Sequence, residues 1–403
     1  MAQDVTILCL ASYYKGTGFL EKASDLGAHV ILVVAEEEAN QAWPSESIDE
    51  RFVMPDLTRR PDIIHAISYL ARDRRIDRII PLDDYDVETA ASLREHLRLP
   101  GIGESQVRYF RDKLAMRIGA RDLGLPVPAF TPVFDYERLH AWMQEVPPPW
   151  VLKPRSEAGA MGIKKVNHPN EVWQQLDALG DQQSFFLLED YVPGEVYHTD
   201  SLVVDGKVRF AVASKYGRPP LDVSHSGGVF MTRLLPEDDE GAQTILEMNR
   251  KLQEGLGLER GAAHTEFIKG EDGQFYFLET AARVGGANIH LMIRAATGID
   301  LWEEWAAAEM AHARGEQYTL PERSHDYAGL LVCLARQEWP DMSNYDEPEV
   351  VWRLHKPQHA GLIVKAENAG TVKTLLEQYS RRFAEDFLAV APPLETGRPG
   401  APQ

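Results

Sequence analysis

The feature that most constrains this fold is a pair of apolar segments that flank a short turn and carry one glutamate each. The segments are His264–Ile268 and Phe275–Glu279, and the Asp272-Gly273 dipeptide between them is a strong signal for a two-residue β-turn. Pairing counted outward from that turn places Glu266 opposite Glu279 on one face of the sheet. The sequence therefore predicts a β-hairpin with two carboxylates side by side.

Two facing glutamates indicate a bound cation. Like charges at cross-strand distance destabilise a sheet unless something cationic lies between them. Oxygen ligands beside a phosphate suit Mg²⁺ or Mn²⁺, so Glu266 and Glu279 are candidate metal ligands. The alternative is a solvent-facing pair that splays apart in water, but both strands are apolar. If the second strand continues, Arg283 points to the same side, and Gly285-Gly286 ends it where a backbone approaches closely.

The N-terminal part of the chain alternates strand-like and helix-like segments. The strand candidates are Val5–Ala11, His29–Val34 and Ile79–Pro81, and the helix candidates are Leu20–Leu26, Ile63–Arg72 and Val87–His96. This alternation predicts a parallel sheet with crossover helices, in a Rossmann-like arrangement. The first turn, Ser12–Gly16, lacks a G-x-G-x-x-G fingerprint, so no dinucleotide is assigned to it.

The rest of the chain has an α+β pattern. A charged amphipathic helix is predicted over Arg108–Leu123. Later strands are predicted at Trp150–Lys153, Phe185–Leu188, Val196–Val204, Lys207–Ser214, Ala262–Ile268, Phe275–Thr280, Leu330–Leu334 and Gly361–Ala366, and later helices at Glu171–Leu179, Gly241–Leu256, Gly298–Ala311 and Val372–Phe383. We expect an N-terminal domain over residues 1–105, a central domain over 106–320 with a mobile lid at 128–205, a small C-terminal domain over 321–391 and a disordered tail at 392–403.

Composition excludes several classes of protein. Lysine and arginine total 42 against 62 aspartates and glutamates, a net charge of −20, which argues against nucleic-acid and membrane partners. Two cysteines, Cys9 and Cys333, exclude a disulfide framework and fit a reducing cytoplasm. No apolar run approaches the roughly 18 residues of a membrane span. We expect a cytoplasmic enzyme, with a homodimer as the default assembly.

Two segments have features of a nucleotide site, although no Walker A motif is present. In Val151–Ile163 an apolar strand ends at Lys153 and a loop of small residues follows, in which backbone N–H groups can surround phosphate while Lys153 and Arg155 offset its charge. In Leu187–Glu195 a strand runs into an acidic turn that can face adenine and ribose. The alternatives are an ordinary glycine-containing hairpin and a charged turn.

Taken in order, these motifs resemble the ATP-grasp superfamily. The series is Arg111-Asp112-Lys113, Lys153-Pro154, Glu189–Glu195, Glu266 and Glu279–Gly286. The resemblance covers about residues 1–310, and the C-terminal segment is similar to the small domain of amino-acid-ligase members. It implies an ATP-grasp fold with a Rossmann-like N-terminal domain, ATP and Mg²⁺ (or Mn²⁺) as cofactors, and small-molecule carboxylate and amine substrates.

The resemblance also implies roles for individual residues. It assigns ATP phosphates to Lys113, Lys153 and Arg155, adenine to Glu189, Asp190 and Val192, ribose to Glu195, the metal to Glu266 and Glu279, the acyl phosphate to Arg283, and the substrate to His225, Gly286 and Asn288. An exposed loop histidine is the alternative for His225. The family's E-x-N metal triplet reads Glu279-Thr280-Ala281 here, so the asparagine ligand is absent, and the loop after Lys153 carries Glu157.

The activity implied by the resemblance is an ADP-forming ligase that activates a carboxylate as an acyl phosphate for attack by an amine. Phosphoryl transfer needs positioned charge and no covalent nucleophile. The His198-Thr199-Asp200 strand is most similar to the L-amino-acid ligases. One rival is a biotin-carboxylase-like enzyme that phosphorylates bicarbonate. The other is a nucleotide-binding scaffold without turnover, which Ala281 favours.

Overall fold

The computed structural model describes residues 5–157, 159 and 161–390, without the side chains of residues 224–226. The expected disordered tail at 392–403 lies outside these residues. The described chain forms three β-sheets with helices packed on them. Within the same residues, no helix combines the length and the apolar character that a bilayer crossing needs.

The first sheet contains four parallel strands in the order β3-β2-β1-β4. Its strands are β1 (Val5–Ala11), β2 (Ala28–Ala35), β3 (Glu50–Met54) and β4 (Arg78–Pro81), and its helices are α1 (Thr17–Asp25), α2 (Arg60–Leu70) and α3 (Val87–Leu97). The predicted Rossmann-like alternation is thus confirmed. Because β1 and β4 are parallel neighbours, the loops that follow them meet at one edge of the sheet, where ligands bind in open α/β sheets.

The helix predicted over Arg108–Leu123 is broken in the structure, so that prediction was wrong. A short helix, α4 (Glu104–Val107), and a 3₁₀ turn end near Phe110, and α5 (Lys113–Asp122) begins anew. The break is caused by Asp112, whose backbone is extended and whose carboxylate accepts hydrogen bonds from the amides of Leu114 and Ala115. Lys113 therefore starts a helix, and its own amide donates to the carbonyl of Arg155 at 2.7 Å.

The second sheet is a small antiparallel unit with its own apolar core. It contains β5 (Phe130–Pro132), β6 (Trp150–Pro154), β7 (Lys164–Val166) and β8 (Phe186–Asp190) in the order β5-β8-β6-β7, covered by α6 (Tyr136–Glu145) and α7 (Pro169–Leu179). The fully buried Trp150 ring lies in this core. The unit falls within the expected lid range, 128–205, although the last strand of that range belongs to the third sheet.

The third sheet has eight strands in the order β13-β12-β9-β10-β11-β14-β16-β15. The strands are β9 (Gly194–Val204), β10 (Lys207–Tyr216), β11 (Phe230–Leu234), β12 (Gly261–Gly270), β13 (Phe275–Ala281), β14 (Tyr327–Leu334), β15 (Val350–Arg353) and β16 (His359–Ala366). The helices that accompany it are α8 (Pro220–Ser226), α9 (Glu240–Leu256), α10 (Ile289–Thr297), α11 (Leu301–Arg314) and α12 (Ala369–Asp386). Three strands from beyond residue 320 therefore extend the sheet that carries the hairpin.

The helices around the third sheet join it to the N-terminal domain. α9 packs on one face through Ile245 and Leu252, and α10 and α11 pack on the other face in a core that also contains residues of β1 and α1. This shared core holds the carboxyl edge of the first sheet against the hairpin. Helix α10 was not predicted, and the helix predicted from Gly298 begins at Leu301, where Asp300 caps it.

The predicted hairpin forms between β12 and β13, and Glu266 pairs with Glu279 as expected. The turn differs from the prediction. It contains three residues, 271–273, because the amide of Gly270 donates to the carbonyl of Gln274 at 2.9 Å and Gly273 adopts a left-handed φ of 80°. Pairing near the turn is therefore offset by one residue. A β-bulge beside Glu266 restores the expected glutamate pairing.

Candidate functional site

A cleft of about 310 Å³ lies between the small sheet, the large sheet and the loop that follows β13. It brings together most of the predicted site residues, namely Lys113, Lys153, Glu189, Asp190, Val192, Glu266, Glu279, Arg283 and Gly286. These residues come from four separate stretches of chain. Apolar side chains from both sheets also line the cleft, among them Val151 of β6, Ile268 of β12 and Leu278 of β13.

At the small-sheet end of the cleft, a buried ion cluster consists of Lys153, Glu189 and Arg117. The Lys153 ammonium pairs with the Glu189 carboxylate, and Arg117 Nη2 lies 2.9 Å from Glu189 Oε2. Burial and the nearby Arg117 lower the pKa of Lys153 to about 8. Burial alone would raise the pKa of Glu189, but Arg117 and Lys153 outweigh it and hold that pKa below its usual range. The Glu189 carboxylate is thus occupied by two protein cations.

At the other end, the carboxylate pair, Glu266 and Glu279, lines the cleft. Tyr216 donates its hydroxyl to Glu266 Oε1 at 2.8 Å, and Lys113 Nζ lies 3.0 Å from Glu279 Oε2. Burial opposes ionisation of Glu279, but Lys113 and Lys153 dominate and keep its pKa low. One third of the Glu279 side chain is exposed to the cleft. The two carboxylates are oxygen donors that fit a divalent cation. The two lysines beside them suit a polyphosphate bound with that cation.

Arg283 reaches the same cleft from the loop after β13, because the strand ends at Ala281 and does not continue to Arg283. Its guanidinium lies 3.5 Å from Asp84, and Asp84 also pairs with Arg111 at 3.1 Å. Burial would raise the pKa of Asp84, but the two arginines hold it well below its usual range. The N-terminal domain thus contributes an ionised carboxylate next to Arg283.

Sequence reasoning missed Asp84 and did not assign a role to Arg111. A signal was available, because the acidic run Asp83–Asp86 directly follows the apolar strand β4. Side chains at the carboxyl end of a parallel strand that neighbours β1 occupy the usual ligand crevice of such sheets.

Four predicted site residues do not line the cleft. Arg155 pairs through two nitrogens with Asp112, the residue that caps α5. Glu195 has 62% of its side chain exposed and pairs with Lys215 at 2.6 Å. Both side chains are therefore engaged by protein partners.

The other two predicted residues outside the cleft lining are His225 and Asn288. His225 lies in helix α8, which corrects the turn expected there, and its side chain is outside the described part of the structure. Asn288 precedes α10 with a left-handed φ of 65°, and Ala287 before it also has a positive φ, 52°. Such conformations are strained for non-glycine residues and often occur at functional sites.

Behind the carboxylate pair lies a buried histidine network that consists of His198, Asp200 and His264. Their nitrogen and oxygen atoms are close enough together to hold an ion, the one such group found among the described residues. His198 Nδ1 lies 2.7 Å from one Asp200 oxygen, and His264 Nδ1 lies 2.9 Å from the other. Burial lowers the pKa of His198. For His264, Asp200 and Glu266 overcome burial and raise the pKa to about 9.

Two family models match the chain. Residues 20–101 match the ATP-grasp N-terminal domain, and residues 146–290 match the ATP-grasp domain. Together the matched segments span more than half of the chain and include three strands of the small sheet (β6, β7 and β8), the hairpin and Arg283.

The individual proteins to which this chain is similar include several ligases. The L-arginine-specific L-amino acid ligase of Bacillus subtilis is 25% identical over 292 residues, which cover 71% of this chain and 70% of that protein. The alanine–anticapsin ligase of Bacillus subtilis is 25% identical over 264 residues, 60% of this chain and 55% of that protein, so the chain spans about half the length of this relative. The crystal structure of an L-amino acid ligase from Bacillus licheniformis has the same fold, with a TM-score of 0.76, 16% identity and coverage of 96% and 99% of the two chains.

Proposed function

Because this chain belongs to the ATP-grasp superfamily and is an ATP-dependent ligase, we propose that it activates an amino acid or another small carboxylic acid and joins it to an amine. The observation that carries the proposal is the cleft itself. It places two lysines, two paired glutamates and an arginine around one space that apolar side chains of both sheets also line.

The proposed reaction has two steps. A carboxylate oxygen of the substrate attacks the γ-phosphorus of ATP, the bond from that phosphorus to the bridging oxygen breaks, and ADP leaves. The amine nitrogen then attacks the acyl carbon, the bond to the phosphate oxygen breaks, and the nitrogen loses a proton. The products are ADP, phosphate and an amide. Positioned charge is what such a phosphoryl transfer requires.

The chain's own cations suit this chemistry. Lys153 and Lys113 lie on the two sides of the space between the small sheet and the hairpin, so we assign both to ATP phosphates. Arg283 pairs with Asp84 at 3.5 Å and donates from Nη1 to the Val284 carbonyl at 3.0 Å, and we assign it to the acyl phosphate. A fixed donor stabilises developing charge without the cost of reorganising at the moment of reaction.

Glu266 and Glu279 would hold Mg²⁺ (or Mn²⁺), which when bound neutralises charge on the triphosphate. The residues fit because both carboxylates line the cleft from one sheet face, and Lys113 contacts only one of them. Glu266 instead accepts from the neutral hydroxyl of Tyr216. The His264 ring, whose pKa is raised to about 9, also lies 3.6 Å from Glu266, so a bound metal would share these carboxylates with Lys113 and His264.

For the nucleotide base, we propose contacts with the backbone from Glu189 to Val192 and with the side chains of Ile268 and Leu278. Gly194 also lines the cleft, and Glu195, the next residue, remains our proposed ribose ligand, which requires it to leave Lys215. Arg155 supports the phosphate end indirectly, because its pairing with Asp112 fixes the start of α5 and hence Lys113. We assign the substrate to the region around Gly286, Asn288 and His225.

A phosphate-release screen with Mg-ATP over pairs of amino acids and small carboxylic acids tests the proposal. We expect ADP and phosphate only when a carboxylate and an amine are both present, and a new amide by mass spectrometry. ADP formation that requires bicarbonate and no amine would instead establish the carboxylase alternative. ATP binding without turnover across the whole screen would establish the scaffold alternative.

A further inference from the structure

The buried histidine network connects the interior of the large sheet to the carboxylate pair. His198 and Asp200 lie two residues apart on β9, so their side chains share one sheet face, and His264 lies opposite Asp200 on β12. His198 and Asp200 are completely buried, and His264 is 8% exposed. Both carboxylate oxygens of Asp200 are used, one by each histidine. Asp200 is therefore the centre of this network.

The network continues to Glu266 through two contacts. His264 Nε2 lies 3.6 Å from Glu266 Oε1, and it also lies 3.3 Å from the Tyr216 hydroxyl that donates to that oxygen. Since Asp200 holds the other nitrogen of the same ring, it fixes the orientation of the imidazole. The position of the Glu266 carboxylate thus depends on a chain that runs from Asp200 through His264.

The network also contacts the loop after β13, at Gly285. A Cβ atom placed on Gly285 would lie 2.6 Å from Asp200 Oδ1 and 3.1 Å from His264 Nδ1. Glycine is thus required at this position by the close approach of the Asp200–His264 pair. Ala287 and Asn288, the second and third residues after Gly285, both have positive φ. The Asp200–His264 pair therefore packs against the start of this loop.

From these contacts we infer that Asp200 is a positioning residue for the metal site, acting on Glu266 through His264 and on the Arg283–Asn288 loop through Gly285. The inference rests on the proposed role of Glu266 as a metal ligand. Groups in the second shell of a metal site commonly change metal affinity by about 10- to 100-fold when they are replaced. A purely structural Asp200 would affect stability alone.

Titration of Mn²⁺ into the protein with a non-hydrolysable ATP analogue, followed by electron paramagnetic resonance, tests the inference without relying on turnover. Asp200→Asn keeps the size of the side chain and removes its charge, and we expect the Kd of Mn²⁺ to rise about tenfold. Tyr216→Phe removes only the hydroxyl on Glu266, and we expect a rise of about threefold. Thr199→Val is the matched control. Thr199 is buried and lies between His198 and Asp200 in the sequence, so its side chain is on the opposite face of the sheet. The Thr199→Val protein should bind Mn²⁺ as tightly as the wild type.

Glu266→Gln separates this inference from the proposed function. If Glu266→Gln binds Mn²⁺ as tightly as the wild type, the proposed metal site itself is wrong. If Glu266→Gln is weakened while Asp200→Asn and Tyr216→Phe bind normally, only the positioning role is overturned. Should Asp200→Asn fail to fold, His264→Asn breaks the same path at its next residue, and normal Mn²⁺ binding by that variant overturns the positioning role. A stoichiometric metal in the purified protein that Asp200→Asn removes would show that the network itself holds an ion, and would also overturn the inference.

Discussion

The two ends of the cleft carry charge in opposite ways. In the buried ion cluster, Glu189 is matched by Lys153 and Arg117, so its charge is balanced within the protein. In the carboxylate pair, two like charges face each other across β12 and β13, and the cation of Lys113 contacts only Glu279. At one end a single carboxylate is paired by two cations, whereas at the other end two carboxylates share Lys113 and the His264 ring.

This difference separates the side chain of Glu189, which we expect to stabilise the fold, from that of Glu279, which we expect to serve the reaction. Removing one member of a balanced buried cluster leaves an unpaired charge in a dry environment, which is strongly destabilising. Removing the charge of Glu279 costs its contact with Lys113, but one third of the Glu279 side chain is exposed, so this cost should be smaller. The comparison therefore predicts the larger loss of stability for Glu189→Gln and the larger loss of turnover for Glu279→Gln.

Glu279→Gln should have the largest effect on turnover. The substitution keeps the size of the side chain but removes the charge that faces the metal, and we expect a loss of about a thousandfold, or about 4 kcal/mol of transition-state stabilisation. The free energy of unfolding without ligand should fall by no more than about 1 kcal/mol, because the Glu279 side chain that pairs with Lys113 is one-third exposed. Steady-state kinetics and urea denaturation measure both quantities. Near wild-type turnover would remove the functional distinction between the two ends.

Glu189→Gln should lower the free energy of unfolding by about 3 kcal/mol, because Lys153 and Arg117 are left buried without their partner. Urea denaturation of the protein without nucleotide measures this change. In the double variant Glu189→Gln with Lys153→Met, one unpaired cation is also removed, so the loss should be smaller than the sum of the two single losses. An unfolding free energy unchanged by Glu189→Gln would show that the cluster is not a stability element.

Nucleotide affinity should fall as pH rises through about 8. The pKa of Lys153 is lowered to about 8 by burial and by Arg117, so the ammonium is present below that pH and is lost above it. Loss of one charged hydrogen bond to a phosphate should raise the Kd of ATP about tenfold between about pH 7 and pH 9.5. Isothermal titration calorimetry measures this, and Lys153→Met should bind weakly with no such pH dependence. An identical pH profile in the two proteins would restrict Lys153 to the buried ion cluster.

The expected lid should respond to nucleotide, but by a smaller factor. The small sheet has its own core, and Tyr85 of the N-terminal domain donates to Glu157 at 3.1 Å, a contact that closure would protect. Hydrogen exchange in peptides that cover residues 155–163 should slow about threefold with a non-hydrolysable ATP analogue. Peptides from β1 and β2 serve as the internal control. Equal exchange with and without the analogue would remove the evidence for a lid.

Features with local sequence signals were predicted well. The alternation of apolar strands and helices predicted the first sheet, and the turn dipeptide predicted the pairing of Glu266 with Glu279. The three-residue turn and the bulge compensate for each other, so the register at the glutamates is correct although the turn was not. The hydrophobic periodicity of the sequence does not predict the bulge, because the bulge depends on how β13 packs against β12.

Features set by contacts between distant residues were not predictable in the same way. The break before Lys113 depends on capping by Asp112, and Asp112 in turn pairs with Arg155, a residue that the sequence suggested for phosphate binding. The approach of Asp84 to Arg283 joins residues of two domains. No spacing pattern along the chain encodes either contact. Strand-end position is the one available signal for Asp84.

Transfer of ¹⁸O from a labelled carboxylate substrate to inorganic phosphate tests the central claim most directly. The pair of substrates that releases most phosphate in the screen is incubated with Mg-ATP, with both carboxylate oxygens of the acid labelled. Attack of that carboxylate on the γ-phosphorus predicts one ¹⁸O atom in each phosphate released, with ADP as the other nucleotide product. Unlabelled phosphate, or AMP and pyrophosphate as products, would contradict the acyl phosphate and with it the proposed function.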